Sequence, residues 1–275
     1  MFRPGCPLLL SLLLAPAAAL AQGDTRAEQQ FANYAFAHEL GSGLYQAGEQ
    51  LLQIYRLPLR WEYREATRDT PGISLLLPAT IGFLDFEPGQ ILEHDLPDRI
   101  DSISFVPGIG LEFLSGNWSL RPFARMGVEI ADQSKLESTL FSVGVYNEYR
   151  RQFADGWRLR FRDDLLYSGV NYRGELPSDT FLRWRNAIEG SNAAQGGAAT
   201  RALETGFFAV LDWYIEPPTG LATGIDIPEL QFEVGMMLGT RPALRWGRVP
   251  IPRIGLSYRF AGDVSAWRLV LGAPF

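Results

Sequence analysis

Charged side chains recur at every second position within several otherwise apolar segments of this sequence. Alternate side chains of an extended strand point to one face, so these guanidinium and carboxylate groups would share a common surface. Paired groups of this kind brace neighbouring strands through charge-assisted hydrogen bonds. The same surface can instead line a pore that guides small anionic solutes past a ladder of arginines. The set consists of Arg56, Arg60, Arg64, Glu112, Arg121, Arg125, Glu129, Glu148, Arg158, Arg160, Arg162, Glu204, Asp212 and Glu233.

The two histidines indicate a different chemistry, because an imidazole beside a serine hydroxyl can take its proton and activate it as a nucleophile. His38 is therefore the candidate residue for a lipid-acting hydrolase of the phospholipase or lipid A deacylase type. The next hydroxyl on its face of a strand, Ser42, would lie about 13 Å away, so the serine would have to come from a neighbouring strand. His94 is expected in an exposed loop. The residues that share the face of His38 are Tyr34, Phe36 and Leu40, which predicts an interfacial or lipid-facing position for the histidine.

The N-terminal residues have the parts of a secretory signal peptide. Arg3 precedes an apolar run from Leu8 to Leu14, and small residues follow. We predict that residues 1–21 are removed and that residues 22–32 form a short periplasmic lead. Cys6 is the only cysteine and leaves with the signal, which excludes disulfides and thiolate metal sites from the mature chain. The net charge of −6 argues against nucleic acid as a partner, and no residue spacing indicates a metal ion or a cofactor.

The elements that would position these charges are strands with one apolar face. Residues 55–64 show the pattern most clearly, with aromatic and leucine side chains from Tyr55 to Tyr63 on one face and charged side chains on the other. Such a pattern over about ten residues is typical of a transmembrane β-strand. We predict an all-β, antiparallel up-and-down transmembrane barrel over residues 33–275 with twelve strands; ten or fourteen strands are the alternatives. The predicted strands are residues 33–45, 55–64, 73–86, 103–113, 118–130, 141–149, 157–165, 179–189, 202–215, 229–240, 252–261 and 266–275.

An even number of strands places both ends of the barrel chain on one side of the membrane. If the last strand ends in the periplasm, the tight turns at 115–117 and 154–156 are periplasmic and the longer connections at 87–100, 168–178 and 216–228 point outward. The connections at 190–201 and 241–251 would be periplasmic, although they are not short. Rings near strand ends are candidates for the aromatic girdles of a membrane interface: Trp118, Trp157, Trp184, Trp213, Trp267, Tyr55, Tyr63, Tyr149 and Tyr258.

The last residues alternate back from a C-terminal aromatic: Trp267, Leu269, Leu271, Ala273 and Phe275. This pattern resembles the terminal signal that the bacterial outer-membrane assembly machinery recognises. Residues 104–108 and 117–123 look like segments of uncharacterised proteobacterial outer-membrane proteins of similar length. The resemblance implies a β-barrel in the bacterial outer membrane whose partners are outer-membrane lipid, lipopolysaccharide and the assembly machinery. It implies no reaction.

Three functions are compatible with such a barrel. We favour a non-enzymatic protein, either a narrow channel for small solutes or a structural component of the membrane. The alternative is the lipid-acting hydrolase that would use His38. The third is a translocator barrel for a secreted passenger, which would require a helix through the lumen; the short stretch over residues 22–30 leaves no passenger in this sequence.

Overall fold

A computed structural model describes residues 38–39, 41–47, 50–84, 102–131, 136–173, 178–193, 202–218, 228–246, 249–250, 253–262, 264–272 and 274–275. The predicted signal peptide over residues 1–21, the predicted lead over residues 22–32 and the loop histidine His94 lie outside these ranges. Within them the chain is almost entirely antiparallel β structure. No helix in the described ranges is long and apolar enough to cross a membrane.

Fifteen strand segments follow one another along the chain. They are β1 (Gly43–Ala47), β2 (Gln50–Arg64), β3 (Gly72–Leu84), β4 (Ser102–Phe105), β5 (Gly108–Ser115), β6 (Trp118–Ala131), β7 (Leu136–Gln152), β8 (Arg158–Tyr172), β9 (Asp179–Ala193), β10 (Ala202–Glu216), β11 (Leu230–Arg241), β12 (Arg245–Trp246), β13 (Val249–Pro250), β14 (Ile254–Ala261) and β15 (Val264–Leu271).

The pairing of these segments runs in a closed ring. Strand β1 pairs with β2 on one side and with β15 on the other, so the first strand of the sheet joins the last. Segments β4 and β5 both lie between β3 and β6 and form two halves of one strand. Segments β12 and β13 form a separate hairpin between β11 and β14. The wall therefore has the twelve antiparallel strands that the sequence predicts.

The first strand begins later than predicted. Strand structure starts at Gly43, whereas His38 and Glu39 are helical, and residues 33–37 lie outside the described ranges. The alternation that suggested a strand over residues 33–45 is short and contains small residues, so it does not distinguish a strand from a turn of helix. Strand β1 is only five residues long because the chain before it turns away from the wall.

The two faces of the wall differ in polarity. Outward side chains are apolar and exposed, as the predicted face of β2 shows, where Tyr55 is 48% exposed and Tyr63 is 73% exposed.

Aromatic pairs occur at two levels of this outer face. Trp118 and Tyr149 lie 4.9 Å apart at the end of the barrel where β15 finishes, which we call the C-terminal end. Tyr258 and Trp267 lie 5.0 Å apart towards the opposite end, where Trp184 and Trp213 also meet at 6.0 Å.

The break between β4 and β5 bends the wall. Pro107 has no N–H to donate to a neighbouring strand, and Val106 turns its side chain fully into the interior. The backbone of β6 passes very close to this bend. A Cβ at Gly127 would lie 2.0 Å from the carbonyl oxygen of Phe105, so only glycine fits there. On β4, the alternation of the strand turns Ser102 and Ser104 towards the interior.

Candidate functional site

The interior of the barrel is the candidate site, because arginine and carboxylate side chains lie along its inner face. Of the predicted set, Arg125, Glu129, Glu148, Glu204, Asp212 and Glu233 are buried, and Arg56, Glu112, Arg121, Arg160 and Arg162 are partly buried. Arg60, Arg64 and Arg158 are exposed near the C-terminal end. Arg60 still contacts Glu112 at 3.3 Å, while Arg64 donates to the carbonyl oxygen of Pro71 at 2.9 Å.

Asp212 lies at the centre of the largest group of ion pairs. Its two carboxylate oxygens accept hydrogen bonds from Arg185 at 2.6 and 2.8 Å, and Arg259 lies 2.8 Å away. Arg183 is 3.8 Å from the same carboxylate. Arg259 also donates to Glu233 at 2.8 Å, which joins β10 to β11 and β14. The group is completed by Arg268 on Glu233, by Ser257, which donates to Glu233, and by Gln231, which accepts from Arg259.

A segment before β1 enters the barrel and is held by charge. The Glu39 carboxylate accepts a hydrogen bond from Arg125 at 2.5 Å and one from Ser142 at 2.8 Å, and Arg56 lies 3.7 Å away. The Ser42 hydroxyl accepts from the backbone N–H of Arg56 at 2.8 Å and donates to its carbonyl oxygen at 3.1 Å. These contacts fix Glu39 and Ser42 between β2 and the strands β6 and β7. The translocator alternative would require a helix through the lumen; the described part of the chain is helical there only at His38 and Glu39.

His38 faces the interior, so the predicted interfacial or lipid-facing position is wrong. Its Nδ1 lies 2.9 Å from the Thr80 hydroxyl and 3.1 Å from the Ser104 hydroxyl, and the histidine is only 2% exposed. Thr80 and Ser104 face each other across β3 and β4, and Ser104 in turn faces Glu129 on β6. A serine on strand β4 therefore reaches His38. The predicted lipid-facing position assumed a strand at His38, whereas the backbone there is helical and directs the side chain inward.

A second group of ion pairs lies near the C-terminal end. Glu189 accepts from Arg160 at 2.5 Å and from Arg253, and Glu204 accepts from Arg241 at 2.8 Å. The ring of Phe275 lies here too, 4.7 Å from the Arg160 guanidinium and 6.4 Å from the Phe208 ring.

Phe275 does not continue the outward face of the last strand. Strand β15 ends at Leu271, and Gly272 has a φ of 87°, which turns the chain. Trp267, Leu269 and Leu271 point outward as the sequence pattern indicates, whereas Phe275 packs inside the barrel with Phe208. Its part in recognition by the assembly machinery stays a prediction.

Arginine outnumbers carboxylate among the ion pairs of the described residues. Thirteen arginines contact nine carboxylates there, so several carboxylates are shared between two or three guanidinium groups. Glu129 is buried and has no ion pair in this part of the chain. Among the described residues that form ion pairs, positive charge is therefore in excess even with Glu129 ionised. No group of three or more His, Cys, Asp or Glu side chains in the described ranges is arranged to hold a metal ion.

Sequence reasoning missed about half of the charged residues that meet inside. For all of them except Glu39 the signal was present, because they follow the two-residue period of a predicted strand whose other face is apolar. Arg183 and Arg185 alternate with Leu182 and Trp184, for example. Glu39 had no such signal, because it does not lie on a strand. The residues missed are Glu39, Asp164, Arg183, Arg185, Glu189, Arg241, Arg253, Arg259 and Arg268.

No protein-family model matches this chain, and no curated protein matches it. Among solved structures, it is similar to the crystal structure of the β domain of the Bordetella autotransporter BrkA. The TM-score is 0.53 at 10% sequence identity, over 83% of this chain and 93% of that chain. At this identity the similarity shows the fold alone. The chain therefore has the β-barrel architecture of that domain.

Proposed function

We propose that this chain is an integral barrel of the bacterial outer membrane whose interior forms a narrow path for small anions. The observation that carries the proposal is the excess of arginine over carboxylate on the inner face of a closed, apolar-coated wall. Guanidinium groups remain charged at any physiological pH, so the interior attracts anions and repels cations under all ordinary conditions.

The outer face supports insertion in a membrane. On β10, outward residues from Leu203 to Trp213 span ten residue steps, and both side chains are exposed. At about 3.3 Å per residue and a tilt of about 40°, this stretch rises about 25 Å, which matches the apolar band of outer-membrane barrels. Exposed apolar surface on this scale would be unfavourable in water. A lipid environment removes that cost.

The path is narrow because side chains occupy much of it. The segment at His38 and Glu39 lies inside, and the arginines reach across to its carboxylate or to carboxylates on other strands rather than lining an open wall. Phe275 covers part of the C-terminal end. We therefore expect passage of single small ions rather than of sugars or peptides. If no ions pass, the same ion pairs would serve a structural component of the membrane.

The test is ion conduction in planar lipid bilayers. In a potassium chloride gradient, the purified protein should give a reversal potential whose sign shows that chloride passes more readily than potassium. Arg121→Glu should shift it towards the potassium value, because it places a second negative charge beside Glu112, which now lies 2.7 Å from the Arg121 guanidinium. Arg125→Glu should act in the same direction. The matched control is Arg151→Glu, an equal charge reversal on an exposed residue that lies 5.0 Å over the Phe153 ring. A bilayer without conductance, or one with no selectivity change in Arg121→Glu, would overturn the channel.

One contact favours a second candidate, the lipid-acting hydrolase. The Ser104 hydroxyl lies 3.1 Å from His38 Nδ1, a distance that suits a nucleophile and its base. In such a reaction His38 would take the Ser104 proton as the oxygen attacks an ester carbonyl. The alcohol would leave with that proton, and water would then release the fatty acid. Both residues face the barrel interior, however, so an acyl chain would have to enter the lumen to reach them.

This candidate predicts release of fatty acid from phospholipid or lipopolysaccharide by the purified protein. His38→Ala and Ser104→Ala should each abolish the release, whereas Ser191→Ala should not, because this buried serine bonds Glu204 elsewhere in the barrel. Absence of any release from either lipid, or equal release by all three variants, would eliminate the hydrolase.

A further inference from the structure

Four arginines converge in the middle of the barrel around two carboxylates. Arg183 and Arg162 lie 3.3 and 3.6 Å from Asp164, on β8, and two more arginines contact Glu39 as described above. Glu39 and Asp164 are the carboxylates nearest to these four arginines; Asp212 lies 3.8 Å from Arg183 but is held at shorter distance by Arg185 and Arg259. We call these residues the arginine cluster: Arg56 on β2, Arg125 on β6, Arg162 on β8 and Arg183 on β9.

Two aromatic rings hold the cluster together on one side. The Arg162 guanidinium lies 3.8 Å from the centre of the Tyr146 ring, and Tyr146 stacks on Phe123 at 4.6 Å. Arg125 lies 4.8 Å from the centre of the Phe123 ring. Planar contacts of this kind orient a guanidinium without using its N–H groups. The N–H groups that do not contact Glu39 or Asp164 are then available to a ligand.

Several of these N–H groups are buried and form no hydrogen bond within the described part of the chain. They are the Nε atoms of all four cluster arginines and Nη1 of Arg183; the Nε atoms of Arg162 and Arg183 have only the longer ion-pair contacts with Asp164 and Asp212, at 3.6 and 3.8 Å. The side chains of Arg125 and Arg183 are only 3% and 4% exposed, so bulk water does not reach them freely. One acceptor, Asp164 Oδ2, is also without a hydrogen bond, and it is the oxygen that lies 3.6 Å from Arg162 Nε. Buried donors on an uncompensated charge are costly unless an anion satisfies them.

We propose that the arginine cluster is a binding site for a small oxyanion with the chemistry of phosphate or a carboxylate. A guanidinium can donate two parallel hydrogen bonds to a pair of oxygen atoms of either ion. One bound anion would supply negative charge where four arginines share two carboxylates, and it would accept hydrogen bonds from the unpartnered donors. The inference rests on the proposed function in that the anion reaches the cluster along the same interior path. Binding itself does not require conduction.

The experiment is titration of the purified full-length protein in detergent with inorganic phosphate, by calorimetry and by thermal unfolding at constant ionic strength. Wild-type protein should bind phosphate saturably and unfold at a higher temperature as phosphate rises. Arg183→Gln should weaken binding at least tenfold. Glu39→Gln should act in the opposite direction and tighten it, because it removes a carboxylate that competes for Arg56 and Arg125. Glu39 lies outside the strands, so this second variant keeps the test decisive if Arg183→Gln does not fold.

Arg241→Gln is the matched control, since Arg241 is a lumenal arginine whose Nε, Nη1 and Nη2 atoms all donate hydrogen bonds. It should leave the affinity for phosphate unchanged. Phosphate without effect on wild-type protein, or an equal loss in Arg183→Gln and Arg241→Gln, would overturn the site. Saturable binding with this pattern but a silent bilayer would overturn the channel and keep the site. Chloride-selective conductance without phosphate binding would overturn the site and keep the channel.

Discussion

Replacing Asp212 by asparagine removes the negative charge on which the largest group of lumenal ion pairs depends. The carboxylate is 1% exposed and is shared by Arg185, Arg259 and Arg183. Asparagine has nearly the same shape, so the change leaves the packing in place and isolates the effect of charge. Three buried guanidinium groups would then depend on fewer carboxylates.

The expected loss is large because the remaining charges stay buried. Breaking a buried ion pair by removing one partner costs about 3–5 kcal/mol, chiefly through the desolvated charge left behind. Asp212 has three cationic neighbours: Arg259 has a second carboxylate in Glu233 at 2.8 Å and Arg183 has one in Asp164 at 3.3 Å, whereas Arg185 has no other carboxylate among the described residues. We therefore expect Asp212→Asn to reduce the free energy of unfolding by an amount in this range, about 3–5 kcal/mol.

The assay is reversible unfolding by urea in lipid vesicles, followed by tryptophan fluorescence. Glu62→Gln is the control, because Glu62 pairs with Arg60 at 3.4 Å but its side chain is 54% exposed. A surface pair of this kind is worth about 0–1 kcal/mol. The double variant Asp212→Asn with Arg185→Gln should lose less than the sum of the single variants, since it removes charge of both signs. If Asp212→Asn cost no more than Glu62→Gln, the ion pairs would not be stabilising the barrel as argued.

Three further changes test the wall and its ends in the same unfolding assay. Val234→Arg, in the middle of the outer face of β11, should cost about 2–4 kcal/mol in lipid, whereas Tyr63→Arg near a strand end should cost about 0–1 kcal/mol; equal costs would argue against a membrane span. Gly127→Ala should cost about 3 kcal/mol or more because its Cβ would overlap backbone, and Gly190→Ala, with 3.6 Å to the nearest atom, should be nearly neutral. Phe275→Ala should cost about 1–2 kcal/mol through lost ring contacts even when folding occurs without assembly machinery, and an unchanged stability would contradict its inward packing.

The wall could be predicted because its periodicity is local. A two-residue alternation of apolar and charged side chains identifies a strand and its outward face without knowledge of its neighbours. This holds for β2, where every second residue from Tyr55 to Tyr63 is exposed. It fails at the start of the barrel, since the five residues of β1 are too few to establish a period. Strand β1 forms because both β2 and β15 offer it partners, and that information is absent from its own residues.

The partners inside the barrel could not be predicted in the same way. Alternation assigns Arg185 and Asp212 to the inner face, but which charges meet depends on strand order, register and tilt together. Arg185 and Asp212 face each other on paired strands, whereas Arg259 reaches Asp212 from β14, across the width of β11. Glu39 is further removed from the local pattern, because it enters the interior from outside the sheet.

The segment at Glu39 changes how the excess of arginine is to be understood. A barrel built only to be rigid could reach neutrality by pairing each arginine on the wall with one carboxylate on the wall. Here Arg56 and Arg125 have their carboxylate on a segment that is not part of the wall, and so their compensation depends on where that segment lies. Any displacement of Glu39 would leave both arginines without a carboxylate partner in the described ranges. The positive charge of the interior is thus coupled to the position of one residue before β1, which is why Glu39→Gln should strengthen anion binding while it weakens the fold.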